Sequence, residues 1–592
     1  MGGRPRRPVQ LGPAGTAVLP PTRGPRRNDD RRARRRLSER KERRHVMSTP
    51  TKGPAAEAYD VLVVGAGPVG LATAIQLATR GRRVGIVERW PQHYPLPRAV
   101  VFDHEAGRIL ASLGLDMAAV SEPAVDYEWR NGEGQQLLRY DFSDGSYSGW
   151  PNLSAFNQPT LEAALNERVL SLPEIDILRG WEAVGVQAGP TAVEVTVAES
   201  TGDAPLLRDG ERAQRTVQAA YVVGCDGANS FIRSCVRTSV TDLGFEFDWL
   251  VLDVIPHDRD REWTPRNLQL CDPARPTTAV VGGPGRRRWE FMRLPGESIA
   301  ELHQVDTAWK LLEPWNLHPD NATLERQTVY TFQARWADSW RDGRLLLAGD
   351  AAHQMPPFAG QGLCSGLRDA INLSWKLDLV LSGKADGTLL DTYTTERSQH
   401  LQHAIQTSVR LGRVICEPDP AAAAERDARM IADQQAGRVP QGDAFLQTFT
   451  DGLLDCDCTG ATAEPSGQLS RQGRVRFGDR TGLFDETVGI GLTLLTTGDP
   501  RDGLDEDTLA WCDQVGLRLL RITDDPAANG PDDVVDLDRT YLADLARTGL
   551  EAMLVRPDFY VFGGAKSTAD IPRLVAALRG RLTAVPAPEV TA

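Results

Sequence analysis

Three glycines, Gly65, Gly67 and Gly70, follow an apolar run at residues 59–64 and precede a small-residue stretch at 71–79; a second apolar run, 83–87, then ends in Glu88. Residues of these types at this spacing could bind a dinucleotide, and each has a task. Gly65 allows a tight turn, Gly67 lets backbone amides approach a pyrophosphate, and Gly70 lets helix and strand pack closely. The helix N-terminus offers unpaired N–H groups and partial positive charge to that pyrophosphate. Glu88 can accept hydrogen bonds from the ribose hydroxyls of an adenosine. A glycine string alone would be weak; the flanking strand, helix and acid make it specific. It does not by itself separate FAD from NAD.

Two later sets bear on that choice. A strand at 217–223 ends in Asp226-Gly227-Ala-Asn-Ser230 with Arg233 beyond, and a buried strand from Arg344 ends in Gly349-Asp350-Ala-Ala-His353. All three sets stand at the C-terminal ends of predicted strands, where an open α/β sheet builds its ligand crevice. One NAD site needs only the first set. A larger cofactor lying across the sheet needs further contacts, such as an acid for ribityl hydroxyls.

The elements that must position these residues can be read around them. The pattern predicts helices at 104–113, from Thr160 as N-cap through Leu161, Leu165 and Val169, at 371–382 and over much of 391–412. Residues 126–150 read as β-hairpins, and 245–335 as a β-rich insertion with strands at 249–254, 278–281 and 288–292. Alternation puts Arg293 with Trp289 and Phe291, and Arg288 with Glu290 and Met292 on the other face. Residues 471–592 read as β-α-β-α-β-β-α, an order that resembles a thioredoxin fold, without a cysteine after its first strand. The fold class expected is α/β: a Rossmann-like FAD-binding domain at 57–400 with interleaved β-rich substrate insertions (about 126–150 and 237–335), a helical linker at 401–470, and a thioredoxin-like domain at 471–592.

Gly65-x-Gly-x-x-Gly70, Asp226-Gly-x-x-Ser230-x-x-Arg233 and Gly349-Asp-Ala-Ala-His353 resemble the three fingerprints of single-component FAD-dependent aromatic hydroxylases, the class A flavoprotein monooxygenases of the p-hydroxybenzoate hydroxylase fold. Within that family, Cys271-Asp-Pro-Ala-Arg-Pro276, Arg288-Trp-Glu-Phe-Met292, Gly360-Gln-Gly362, Ser365-Gly-Leu-Arg-Asp369 and Arg556-Pro-Asp558 resemble the 3-(3-hydroxyphenyl)propionate hydroxylase group. The resemblance implies that Glu88 binds adenosine ribose, Arg98 the FAD phosphates, and Gln158 the ribityl or phosphate portion. Asp226, with Gly227, would sit beside the pyrophosphate, and Asp350 would hold a ribityl hydroxyl. Pro356 and the loop Gly360, Gly362, Leu363 would line the flavin ring, where a helix N-terminus could stabilise negative charge. The implied reaction consumes NADH or NADPH and O2: a C4a-hydroperoxide forms on the reduced flavin, and a phenol ring, 3-hydroxyphenylpropionate-like and hydroxylated ortho, attacks its distal oxygen. His353, Pro356 and Arg293 are the candidates for catalytic roles, and Arg288 or Arg293 for a substrate carboxylate. The loop Met355-Pro-Pro-Phe358 departs from that group's Trp-containing version, which leaves the phenol's identity open.

Composition narrows the classes. The chain has 592 residues and a net charge of −13, but residues 1–46 carry +11, leaving −24 for the rest. The leader at 1–56, rich in Arg, Pro and Gly, is expected to be disordered, with Met47 read as the natural start. The acidic remainder argues against nucleic-acid binding. No apolar run reaches the length of a membrane span. Eight cysteines, including Cys456 and Cys458, show no zinc spacing and suggest a reducing cytosol, so no metal is expected. A homodimer through the last domain is the candidate assembly. The alternatives are a tailoring hydroxylase of a larger polycyclic phenol, an FAD-linked reductase of isoprenoid double bonds, and a flavin-binding sensor or scaffold without turnover.

Overall fold

The computed structural model describes residues 58–92, 96–143, 147–200, 212–438, 448–456 and 461–583. The basic leader, Met47 and Cys458 lie outside the described residues. Five strands form a parallel sheet core: Leu345–Leu347, Gln214–Gly224, Ala58–Val64, Val84–Glu88 and Ile175–Arg179 lie side by side in that order. Arg341–Asp342 borders the first of them. Val193–Glu199 pairs antiparallel with the long Gln214–Gly224 strand and carries Trp181–Ala188 on its other side. The register Val64↔Gly224, Gly224↔Leu347 and Val64↔Val87 brings four strand ends level. Gly65, Cys225–Asp226, Ala348–Asp350 and Glu88 therefore emerge at one edge of the sheet.

Helix Pro68–Ala78 is buried from Gly70 to Ala78 and packs against Gln361–Leu381 and Gln158–Leu170. The last of these is capped by Asn157, whose side chain accepts from the Thr160 amide, rather than by Thr160 itself. Pro159 stands in its first turn, where a missing N–H costs nothing. Helix Gln361–Leu381 begins ten residues earlier than apolar periodicity predicts, because three glycines and polar residues at 360–366 dilute the pattern. Tyr393, on helix Asp391–Ile415, donates from its hydroxyl to the Leu347 carbonyl at 2.8 Å and ties that helix to the sheet. The stretch read as a linker holds the end of this helix and all of Pro420–Gln435.

A second, eight-stranded sheet is assembled from distant segments. The hairpin Asp126–Asn131/Gln136–Asp141 joins it through Leu268–Cys271, which is followed by Thr277–Val281, Arg287–Met292, Val240–Pro256 and Ala322–Ala337. Alternation gives its two faces different partners. Leu250, Leu252, Trp289 and Phe291 pack against Leu302, Ala308 and Leu312. Val251, Thr278, Arg288 and Glu290 point the other way, toward the first sheet.

The C-terminal segment forms a seven-stranded sheet. The four strands expected there pair in the order Arg518–Thr523, Thr493–Thr496, Ala552–Val555, Val561–Ala565, the first two parallel and the others antiparallel. Asp533–Asp536 and the hairpin Arg474–Phe477/Arg480–Leu483 extend it. This unit is pinned to the rest by a buried ionic cluster: Glu396 accepts from Arg556 Nη2 at 2.6 Å, Lys376 Nζ at 2.7 Å and Asn372 Nδ2 at 2.7 Å, and Asp558 accepts from Arg556 and Asn372. Burial lowers the Lys376 ammonium to about 8, against the raising effect of Glu396. Such charges survive burial only because they satisfy one another. Among the described residues no helix is long and apolar enough to cross a membrane.

Candidate active site

Two cavities open where the strand ends converge, and Gly67, Pro68, Arg98, Cys225 and Gly227 line both. The smaller, about 200 Å³, runs past Gly65 to Glu88, Glu162 and Asp226. Its glycines divide into two kinds. Gly65 has φ +107°, and a Cβ there would stand 2.3 Å from the Cys225 carbonyl oxygen; a Cβ on Gly70 would stand 2.0 Å from the Gly65 oxygen. These two are demanded by the protein's own packing. A Cβ on Gly67 or Gly227 would meet nothing within 4 Å. Those two leave bare backbone facing the trench, which is what an incoming diphosphate requires.

The acids at the strand ends are set differently from one another. Glu88 accepts from the Ala66 amide at 2.7 Å and the Trp90 amide at 2.9 Å, which holds its carboxylate at the trench end. Asp226 turns inward, accepting from the Ser230 hydroxyl and, at 3.0 Å, the Ile232 amide, so it shapes the turn it belongs to. Asp350 accepts no side-chain hydrogen bond from the described residues, and the cavity exposes it. Surrounding protein raises its carboxyl above the ordinary range, with His353 and Arg98 opposing. An acid in that setting fits a polyol, which would bring the missing donors. Gln158 is buried, accepts from the Ala99 amide at 2.8 Å and donates to Glu162 at 2.6 Å, thereby holding the Arg98 loop. Arg98 itself is exposed along the trench wall.

The larger cavity, about 420 Å³, lies between the two sheets. One wall is the segment 355–363. Gly360, at φ +63°, turns the chain into helix Gln361–Leu381, so Pro356, Gly360, Gly362 and Leu363 all face the space beside the helix N-terminus. That start is braced from behind: Arg368 donates to Asp103 at 2.6 Å, to Glu105 at 2.6 Å and to Gln361 at 3.0 Å, and Gln361 donates to Asp103 at 3.0 Å. Burial pushes the Asp103 carboxyl up, but Arg368, His104 and the Ala106 amide outweigh it and bring it down to about 2. The opposite wall is aromatic and polar, with Tyr127, Trp129, Tyr140 and Phe142 from the hairpin and Gln269, Thr278, Arg288 and Glu290 from the insertion.

Two candidates stand elsewhere. His353 does not line the cavity; it is 2 % exposed, its Nε2 is 2.7 Å from Asp369 Oδ2, and its ring packs on Trp340. Asp369 also accepts from the Gly349 amide at 3.0 Å and Arg397 Nε at 2.9 Å, so His353 belongs to the brace beneath the Gly349–Asp350 turn. Arg293 lies one residue past the strand end, donates to Asp248 at 2.8 Å and is partly solvent-exposed, outside the cavity. Strand alternation stops at Met292, and the predicted facing of Arg293 stops with it. Arg288 does face the cavity, but its guanidinium is spent on Asp253 at 2.8 and 3.0 Å and on the carbonyls of Pro97 and Arg98. The hairpin aromatics and Glu290 are the site residues that sequence reasoning missed. Alternation placed Glu290 opposite Trp289 but could not say that this face was the cavity.

The strand ends thus present bare glycine backbone at Gly67 and Gly227 together with the carboxylates of Glu88 and Asp350, and residues 58–408 match the family model described as an FAD binding domain. Residues 467–581 match one described as the HcaD C-terminal domain. A protein of Rhodococcus jostii (strain RHA1) named "Probable NADH-specific resorcinol 4-hydroxylase" is 37 % identical over 540 residues, covering 90 % of this chain and 97 % of that one. A 3-(3-hydroxy-phenyl)propionate/3-hydroxycinnamic acid hydroxylase of Klebsiella pneumoniae is 33 % identical over 498 residues, covering 81 % and 85 %. In fold, the chain is similar to the flavin-dependent monooxygenase PieE, solved with FAD and substrate (TM-score 0.72, 22 % identity, 88 % of this chain and 99 % of that one). It is similar also to aklavinone-11 hydroxylase, solved with FAD and aklavinone (TM-score 0.69, 23 % identity, 89 % and 99 %). The chain belongs to the FAD-dependent aromatic-ring hydroxylases.

Proposed function

We propose that this enzyme hydroxylates a one-ring phenol, an uncharged dihydroxybenzene of the resorcinol type ahead of 3-(3-hydroxyphenyl)propionate, with NADH as reductant. The observation that carries the reading is the cavity of about 420 Å³ with the segment 355–363 and a helix N-terminus on one side and an aromatic wall on the other. Sites of this kind run from about 300 to 1,000 Å³. Space at the lower end, shared with the cofactor's ring, suits a single aromatic ring better than a polycyclic phenol. The charge pattern sets the order of the two phenols. Arg288 is already paired, and Glu290 adds negative charge beside it, which disfavours a propionate side chain. The similarity to the resorcinol and hydroxyphenylpropionate hydroxylases supports both phenols and, through the former, NADH.

FAD, when bound and reduced, supplies the oxygen activation. The chain's own residues do the rest. Glu88 would take the adenosine ribose, the amides at Gly67 and Gly227 and the Arg98 side chain the diphosphate, and Asp350 a ribityl hydroxyl. Gln158 would keep the Arg98 loop in place, and Asp226 would keep its own turn. The N-terminus of helix Gln361–Leu381 would face the ring edge that gains negative charge. The aromatic wall excludes water and orients the phenol ring. The test is NADH oxidation by the FAD-loaded enzyme with resorcinol, with 3-(3-hydroxyphenyl)propionate, and without phenol, with product masses recorded. Resorcinol should give the larger stimulation and a product heavier by one oxygen. Stimulation by both phenols with neither oxygenated would refute the proposal.

A further inference from the structure

We propose that Glu290 is the catalytic base that takes the proton of the substrate's phenolic hydroxyl, an assignment that rests on the phenol-hydroxylase reading above. Glu290 stands mid-strand in Arg287–Met292, opposite Val251 on one neighbour and Thr278 on the other, and all three line the cavity. It is 6 % exposed, yet its carboxyl accepts no hydrogen bond from the described residues; the nearest cation, Arg288 Nη1, is 3.7 Å away. A buried carboxyl left so is rare unless a ligand completes it.

The other groups on the cavity walls are already committed. Asp103 is saturated by Arg368, Gln361 and the Ala106 amide. Gln269 donates to the Tyr127 hydroxyl and accepts from Thr278, while Asn267 is spent on backbone at Asp126 and Val281. Burial, with Glu290 nearby, raises the Tyr127 phenol, so it stays a neutral donor. Asp350 lines the cofactor end of the space. Four charged or titratable groups face Glu290: Arg288 from its own strand, Asp253 from Val240–Pro256, Arg326 from Ala322–Ala337 and Tyr127 from Asp126–Asn131. Burial raises its carboxyl above the ordinary value and Asp253 adds to this, while Arg288 and Arg326 oppose. That displacement narrows the gap to a phenol, whose own value is about 10, and makes the carboxylate a better acceptor.

In the step, the phenolic O–H bond breaks, its electron pair stays on oxygen, and the proton forms the O–H of the Glu290 carboxylic acid. The released pair drives electron density into the ring carbon that takes up the oxygen atom. When the ring regains aromaticity, its C–H proton leaves to solvent and Glu290 returns its proton to the phenolate oxygen. NADH and O2 of the family reaction supply the electrons and the oxygen, and no other reactant is needed.

The experiment compares the FAD-loaded parent, Glu290→Gln and Glu290→Asp, with resorcinol as probe, over pH 5–9. A general base of this kind contributes about 10²–10⁴-fold, so Glu290→Gln should lose about 100-fold or more in oxygenated product per turnover time. Its FAD content and resorcinol Kd should stay within about threefold of the parent, a split that marks an interaction made in the transition state. The parent's kcat/KM should fall on the acid side with the Glu290 ionisation, Glu290→Asp should keep that limb, and Glu290→Gln should lack it. Glu290→Gln with parental kcat and an unchanged acid limb would overturn the assignment alone. If Glu290→Gln fails to hold FAD, the parent and Glu290→Asp decide, and absence of the acid limb in both overturns it. A parent that oxidises NADH but oxygenates no phenol would bring down the functional reading as well.

Discussion

Gly67 and Gly70 lie three residues apart in one turn, yet replacing each with alanine should do opposite things. At Gly67 the backbone is extended (φ −74°, ψ 177°), which alanine adopts freely, and the added methyl meets no atom within 4 Å. Reduced freedom of the unfolded chain offsets the poorer helix cap, so the apoprotein should stay within about 1 kcal/mol of the parent. That methyl would stand in the proposed path of the diphosphate, and FAD should bind at least about tenfold more weakly, or about 1.4 kcal/mol. At Gly70 the methyl would lie 2.0 Å from the Gly65 carbonyl oxygen and 3.3 Å from Cys225 Cβ. Backbone must move by more than an ångström, and overpacking of this kind costs about 1–3 kcal/mol or more before any ligand is added. The assay is thermal unfolding of each apoprotein, followed by fluorescence titration with FAD. Equal loss of apoprotein stability in both variants, or parental FAD affinity in Gly67→Ala, would refute the division of these glycines into packing and ligand-facing kinds.

Asp350→Asn should stabilise the apoprotein at pH 7 while weakening FAD. The folded-state carboxyl is raised, so the stability tied to its protonated form is present below the ordinary Asp value of about 3.9 and lost as pH rises through the folded value. The gain on substitution should therefore vanish in unfolding curves recorded below that range. Glu396→Ala should destabilise the protein by about 3–5 kcal/mol in urea unfolding, since Arg556 and Lys376 are left buried and unpaired. Burial works against the Glu396 carboxyl, but Arg556 and Lys376 lower it to about 2. In the parent, its contribution should be complete above the ordinary Glu value and disappear as pH falls toward 2. Arg293→Met should change stability by at most about 1 kcal/mol and leave steady-state hydroxylation at the parental rate, as expected for a half-exposed ion pair. His353→Asn should lower FAD retention through the Gly349–Asp350 turn without shifting the pH profile of the loaded enzyme.

The cofactor trench was legible in the sequence because its parts are local. A strand, a glycine turn, a helix and an acid occupy residues 58–88, and each later fingerprint sits at the end of its own strand. The substrate wall was not, because it is assembled from segments far apart in the chain: the hairpin 126–141, the strands at 277–292 and the loop 355–363. Alternation correctly separates Arg288 and Glu290 from Trp289 and Phe291, but which face becomes a cavity depends on helices at 299–312 covering the other. His353 misled for a related reason. Its closeness to Asp350 in sequence says nothing of Asp369, sixteen residues on, which draws the imidazole away from the cavity.

Hydroxylation of a one-ring phenol is tested most directly by a single turnover of the NADH-reduced, FAD-loaded enzyme with resorcinol under ¹⁸O-labelled dioxygen, followed by mass analysis of the product. One labelled oxygen should appear in the aromatic product for each NADH consumed. Labelled hydrogen peroxide with resorcinol recovered unchanged would contradict it.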